Sequence, residues 1–414
     1  MTHTRDFEVL LELENVVGVE YDERDDRVVA FVTKKVPESE LDPDHVVQRN
    51  VEKDSAVEEL GELTPLTAES EDELPAAHGM RQDRHRPVEG GVSEANANIT
   101  AGTAGLYPAK VVDITAADWD NSVSEGERVR LSNNHVYARA NEAALGESIL
   151  QPSPYDGGDE SDSVGKLAGY VPIENGTSVD VAARSVETEQ EATTYHDLDD
   201  TYPTGVYRKN AGDLLGEAVV KTGRTTGVTA GEVKATSATV TVQYGGDLGA
   251  VTLRDQLITS RISEGGDSGS PVFLESSGEL LAELFAGSAK ASVLCKATNI
   301  EAELGVKLMA DDQDESTYVE SFDETVSIEM EGQDLELDGL RGDKPKAGEA
   351  IEATATVSGN YGGECWLAVQ GERYTFTLDD EENGSHTADV PVTVTSPDRH
   401  QQSFEVGISG GYVE

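Results

Sequence analysis

"EGGDSGSPVF", residues 264–273, sets a serine between an aspartate and a glycine just ahead of an apolar run. Such a serine can be part of a turn and nothing more. Its neighbours, however, each allow a particular piece of chemistry. Gly266 and Gly269 open backbone dihedrals closed to other residues and let a carbonyl approach the main chain. Asp267 can fix the loop on a buried donor while Ser268 presents its hydroxyl. Acyl transfer needs such a hydroxyl at a tight bend and two backbone N–H groups converging on the developing oxyanion. The amides of Gly266 and Ser268 are the candidate donors.

A serine nucleophile needs a base, and the base needs an orienting carboxylate. Upstream, "LSNNHVYA" (131–138) carries one of only eight histidines, among small and polar residues after a strand-like run. Imidazole titrates near neutral pH, so His135 is the candidate proton acceptor.

Around these stretches the chain reads as many short β-type runs with glycine-rich turns, such as "ERVRLSNNHV", "VGKLAGYVPI", "DQLITSRIS" and "ELLAELFAGSA". That texture, from 92 to about 310, points to antiparallel β architecture. "NIEAELGVKLM" reads as a closing helix. Before it, residues 1–62 look like a small α/β unit, with "DFEVLLELENV" as a short helix and "VVGVEYD" and "RVVAFVTKK" as strands. Residues 63–91 lose strand periodicity and read as a linker or a segment draped over a neighbour. Within them "RQDRHRP" is expected to be a solvated loop, with a processing site as the alternative. If the N-terminal unit is a removable pro-segment rather than a permanent domain, the new terminus is expected between 79 and 92. Residues 325–414 alternate as in a small Ig-like β-sandwich, able to bind another protein.

"GDSGSP" resembles the active-site loop of the trypsin/chymotrypsin-like serine proteases, where G-D-S-G-[GS]-P surrounds the nucleophile. "LSNNHV" resembles the family's L-[ST]-x-x-H-[CV] segment, and "SVDVAAR" (178–184) its D-[IV]-A segment, in the same His, Asp, Ser order. "VVKTGRTTGVTAGEV" (219–233) is similar to the strand–turn–strand that opens the second barrel in bacterial members, with a structural role. The resemblance implies a mainly β, chymotrypsin-like double antiparallel β-barrel over 92–310. It implies Ser268 as nucleophile, His135 as general base and Asp180 as the carboxylate holding the ring. It also implies that Phe285, Ala286, Gly287 and Ser288 line the substrate, with Ile262 at the pocket floor. Glu264 lies nearby and leaves the preferred side chain open. The layout looks like a haloarchaeal-type member of a little-characterised prokaryotic subgroup. The family's usual cysteine pairs and its Ile-Val-type activated terminus are missing, which implies barrels held by packing and an enzyme folded ready-made.

The 414 residues include 81 acidic and 31 basic side chains, for a formal charge of −50. So negative a surface repels nucleic acid and anionic membranes. It suits molar salt, where screening acts within about 3 Å. No run approaches the ~18 apolar residues of a membrane helix, and no leader pattern is visible, so a cytoplasmic protein in a high-salt environment is expected. Cys295 and Cys365 build neither a disulfide framework nor a metal site, and no metal or cofactor is expected. The leading reading is a serine endopeptidase acting on protein or peptide substrates. The alternative is a protease-fold scaffold with weak or self-directed cleavage. An α/β-hydrolase esterase fits poorly, given the absence of a G-x-S-x-G elbow around Ser268 and the chain order. Oligomeric state is left open.

Overall fold

Along "GVTAGEVKATSATVTVQYG" the side chains of Val233, Ala235, Val240 and Val242 are buried while Lys234, Thr241 and Gln243 are less so. This period of two makes the stretch a half-buried strand, Gly227–Gly245, which folds back antiparallel onto Gly249–Ser260. The computed structural model describes residues 3–66, 80–199 and 202–308 and, beyond these, the strands of the C-terminal region. By contacts the chain divides into two units, Met1–Asp311 and Asp312–Glu414.

The first unit is mainly β. Its larger sheet has ten strands, running Ala218–Gly223, Pro271–Leu274, Leu280–Gly287, Ala291–Lys296, Gly249–Ser260, Gly227–Gly245 and then onto N-terminal strands. Ala218–Gly223 pairs with both Pro271–Leu274 and Gly227–Gly245, so the pairing of these six strands runs back to its start. An eight-stranded sheet includes Ala109–Val111, Arg128–Ser132, Ala182–Ser185, Ser163–Tyr170 and Ser148–Leu150. One apolar core joins the two sheets through Leu106, Leu131, Val181, Val240, Ile258, Phe273 and Phe285. The expected closing helix is Ala297–Leu304, ended by Gly305 and followed by the strand Val306–Leu308.

The N-terminal stretch, expected to stand as its own α/β unit, instead extends the larger sheet. Val16–Asp22 pairs antiparallel with Gly227–Gly245, Gly18 opposite Val240. Arg27–Val32 pairs with Val16–Asp22, and Ser55–Glu59 runs parallel beside it. The two faces of Arg27–Val32 explain why. Val28, Ala30 and Val32 pack on Leu10, Val19 and Val47, whereas Val29 and Phe31 belong to the core shared by the two sheets. One face of the strand thus closes a small local core, and the other is covered only by the core shared with the two sheets. The expected helix there is a 3-10 coil, Thr4–Glu12.

The basic stretch is not a solvated loop either. Arg81 is buried and donates to Thr222 Oγ1 at 2.6 Å and to Asp197 at 2.7 Å. Arg86 reaches the side-chain oxygen of Gln151 at 2.6 Å.

In the second unit two antiparallel sheets form. One holds Phe322–Glu329, Ser403–Tyr412, Gly363–Val369 and Glu372–Leu378; the other holds Ala350–Gly359, Ser385–Thr395 and Asp380–Glu382. Leu367, Val390 and Val392 are buried there. Among the described residues no helix is long and apolar enough to cross a membrane.

Candidate active site

Ser268 lies in the loop between Gly249–Ser260 and Pro271–Leu274. Gly266 and Gly269 both adopt φ of +91°, a region L side chains avoid. Space forbids a side chain as well: a Cβ on Gly269 would sit 2.1 Å from Ser132 Oγ. Asp267 anchors the bend. Its Oδ1 accepts from the amides of Thr225 at 2.8 Å and Thr226 at 3.1 Å; its Oδ2 accepts from Thr226 Oγ1 at 2.7 Å and the Glu264 amide at 3.0 Å. Lys221 Nζ, fully buried, lies 3.2 Å from Asp267 Oδ2. Burial pulls the Lys221 ammonium below its usual pKa, and the Asp267 charge opposes that pull. The "VVKTGRTTGV" motif thus supplies donors to the serine loop.

His135 and Asp180 come from the eight-stranded sheet. His135 sits on the helical turn Asn134–Tyr137, directly after Arg128–Ser132, and Asp180 lies just ahead of Ala182–Ser185. These strands pair antiparallel with Ser132 opposite Ala182, so two residues distant in the chain flank one rung. The His135 amide donates to Asp180 Oδ1 at 3.1 Å, and ring Nδ1 lies 2.6 Å from Asp180 Oδ2. Ring Nε2 lies 2.7 Å from Ser268 Oγ. A carboxylate only accepts, so Nδ1 carries the proton and Nε2 accepts from the serine hydroxyl. All three side chains are buried.

Three groups that the sequence reading did not single out surround Asp180. Tyr244 donates its hydroxyl to Asp180 Oδ2 at 2.8 Å. Burial and the Asp180 charge push that phenol well above its usual pKa. Cys295 Sγ accepts from the Asp180 amide at 3.2 Å, and the same two causes push its thiol well up. Glu283 is fully buried and accepts from Asn133 Nδ2 at 2.9 Å, while Asn133 also donates to the Asp180 carbonyl at 3.0 Å. Burial, then Asp180, push the Glu283 carboxyl well above the usual carboxylate range. Neighbours held neutral leave the charge of Asp180 undiluted to face a positive imidazole. No motif marks these residues, because each acts through a contact between distant strands.

The residues expected to line the substrate surround part of the chain itself. Thr64–Pro65 pairs antiparallel with Leu280–Gly287, with Pro65 opposite Ala286 and Thr64 opposite Gly287. The Leu66 amide donates to the Phe285 carbonyl at 3.1 Å, and the Leu66 carbonyl accepts from the Gly266 amide at 2.7 Å. Leu66 and Ile262 share an apolar cluster with Leu214, Val219 and Val233. Ser288 donates its hydroxyl to the Leu60 carbonyl. Glu264 pairs with Arg261 at 3.1 Å instead. Elsewhere, His85, Glu89 and His196 bring potential metal-binding atoms within 4.8 Å of one another, although Glu89 and His196 already bond each other at 2.7 Å.

No protein-family model and no curated protein matches the chain. Solved structures similar to it are chymotrypsin/trypsin-like serine proteases. Thermobifida fusca protease A is 18% identical, over 53% of this chain and 97% of that one, with a TM-score of 0.37. A glutamic-acid-specific serine protease is 21% identical, over 53% and 100%, with a TM-score of 0.36. The chymotrypsin of Cellulomonas bogoriensis is 16% identical, over 54% and 98%, with a TM-score of 0.35. At TM-scores this low the likeness carries no weight for the site, whose case rests on its own distances.

Proposed function

We propose that the chain is a serine endopeptidase of the trypsin/chymotrypsin type, with Ser268 as nucleophile, His135 as general base and Asp180 as its orienting carboxylate. The observation that carries this reading is the buried relay of 2.7 Å from Ser268 Oγ to His135 and 2.6 Å from His135 to Asp180. Ser268 Oγ attacks the scissile carbonyl as His135 Nε2 takes its proton. Asp180 stabilises the imidazolium, and the amides of Gly266 and Ser268 hold the oxyanion. The imidazolium then protonates the leaving amine, and water releases the acyl group by the reverse path. The closed path of six strands supports a barrel, and the second sheet supports another, with the three side chains where they meet. The acid-rich composition supports work in molar salt.

The test is hydrolysis of casein or a fluorogenic peptide in molar KCl. Ser268→Ala should lower the rate by about 10⁶-fold; equal rates in the two chains would end the assignment. One observation favours a second reading, a protease-fold scaffold: the Leu66 carbonyl already occupies the Gly266 amide. An organophosphonate separates the two, since it labels Ser268 only where the relay is competent.

A further inference from the structure

We propose that Leu63–Leu66, "LTPL", is seated as a substrate and that the chain cuts its own backbone on the carboxyl side of Leu66. This rests on the peptidase reading above, and names both the bond cut and the side chain preferred before it.

Three contacts converge on Leu66, each at a place where a peptide about to be cleaved must make one. Its carbonyl oxygen sits 2.7 Å from the Gly266 amide, the donor that would polarise a scissile carbonyl and hold its oxyanion. Its amide donates to the Phe285 carbonyl at 3.1 Å, and the residues before it continue that pairing antiparallel along Ala286 and Gly287. Its side chain packs in an apolar pocket with Ile262 and Leu257. A Cβ on Gly287 would lie 3.4 Å from Leu66 Cδ2, an ordinary contact that places the Leu66 side chain against this strand. A leucine that merely completed a core would need the last contact but not the first two.

The segment is also tethered upstream. The Leu63 carbonyl accepts from the Gln243 amide at 2.8 Å, and Leu63 itself is fully buried. Glu59 pairs with Lys290 at 2.8 Å. The strand Ser55–Glu59 feeds straight into this stretch from the sheet. The reacting groups are therefore held together within one molecule, where proximity alone can supply a large part of the rate. A cut between 79 and 92, the place expected for a pro-segment, lacks this support, because Arg81 and Arg86 there are engaged in the fold.

The chemistry closes without any further reactant than water. Ser268 Oγ bonds to the Leu66 carbonyl carbon, and its proton passes through His135 to the nitrogen of residue 67 as the Leu66 C–N bond breaks. Water then splits the ester, leaving a Leu66 carboxylate and restoring the hydroxyl. The piece ending at Leu66 stays paired through Val16–Asp22 and Gly227–Gly245. Peptides with leucine or an apolar side chain of similar size before the cut are the matching substrate class. Glu264, engaged by Arg261, does not redirect the pocket to basic side chains.

The experiment uses the full chain in molar KCl, with intact mass under denaturing conditions and terminal sequencing. Wild type should give one piece ending at Leu66 and one beginning at Thr67, which co-elute before denaturation; Ser268→Ala should stay whole. Leu66→Met should keep the cut, and Leu66→Asp should slow it at least about tenfold, as expected for a mismatched group in an apolar pocket. Ser268 is also labelled with an organophosphonate in Leu66→Asp, whose pocket holds no apolar side chain of its own. A wild-type chain left whole, or cut elsewhere, while Ser268 in Leu66→Asp is labelled, overturns this inference and leaves the peptidase reading standing. No cut and no label overturns both.

Discussion

Glu283→Gln asks how a buried acid beside Asp180 is kept neutral. Glu283 lies on Leu280–Gly287; its Oε1 accepts from Asn133 at 2.9 Å, and its Oε2 has no hydrogen-bond partner. Burial, and after it the Asp180 charge, hold the carboxyl well above its usual pKa. The folded chain therefore keeps a proton that the unfolded chain loses near pH ~4.3. Such a group contributes its full stability below the unfolded value, and that stability drains as pH rises toward the folded value. The drain is at most about 1.4 kcal/mol per pH unit, or tenfold in the opening equilibrium. Glutamine has nearly the same shape and no proton to lose. Its extra N–H, placed where Oε2 lacks a partner, costs about 1–3 kcal/mol at every pH. The variant should accordingly start less stable in acid and gain on its parent by about 1.4 kcal/mol from pH 5 to pH 6. The readout is amide hydrogen exchange along Leu280–Gly287, in chains that also carry Ser268→Ala so that neither digests itself. A parent-to-variant difference that stays flat across pH 5 to 7 would show that Glu283 titrates as an ordinary carboxyl, and the reasoning would fail.

Two further outcomes follow from the same geometry. Asp180→Asn should lower peptide hydrolysis by about 10⁴-fold. Asp180 faces donors on both oxygens, His135 Nδ1 and Tyr244 on one and the His135 amide on the other, so an amide nitrogen meets a donor whichever way it turns; steady-state rates near those of the parent would contradict this. Lys221→Met should destabilise the first unit by about 3–5 kcal/mol, because it strands the buried Asp267 charge. Thermal unfolding in the Ser268→Ala chain reads it, and an unchanged midpoint would mean that the donors of Thr225, Thr226 and Glu264 carry Asp267 without the lysine.

How much of this was legible beforehand depends on the range of the interaction. Strand periodicity at 227–245, the glycines around Ser268 and the closing helix are local: a residue's neighbours restrict its backbone, and that restriction is written in adjacent letters. The chain order of His135, Asp180 and Ser268 was legible through motifs of a few residues each. For the residues expected to line a substrate, the structure shows Phe285, Ala286 and Gly287 paired with, and Ile262 clustered with, residues 64–66 of the same chain. The N-terminal boundary was misread for the opposite reason. The unbroken apolar run in "RVVAFV" reports that both faces are covered but not by what, and only the fold assigns one face to the shared core.

The amino-acid string marked the candidate side chains for chemistry and the glycines that bend the backbone around Ser268. Tertiary structure alone decided that Tyr244, Cys295 and Glu283 gather on Asp180, that arginines in a basic stretch turn inward, and that Leu66 lies on the Gly266 amide. Each of these joins strands or loops far apart in the chain. Such contacts arise from pairing and burial across sheets, for which no local pattern of residues carries an address.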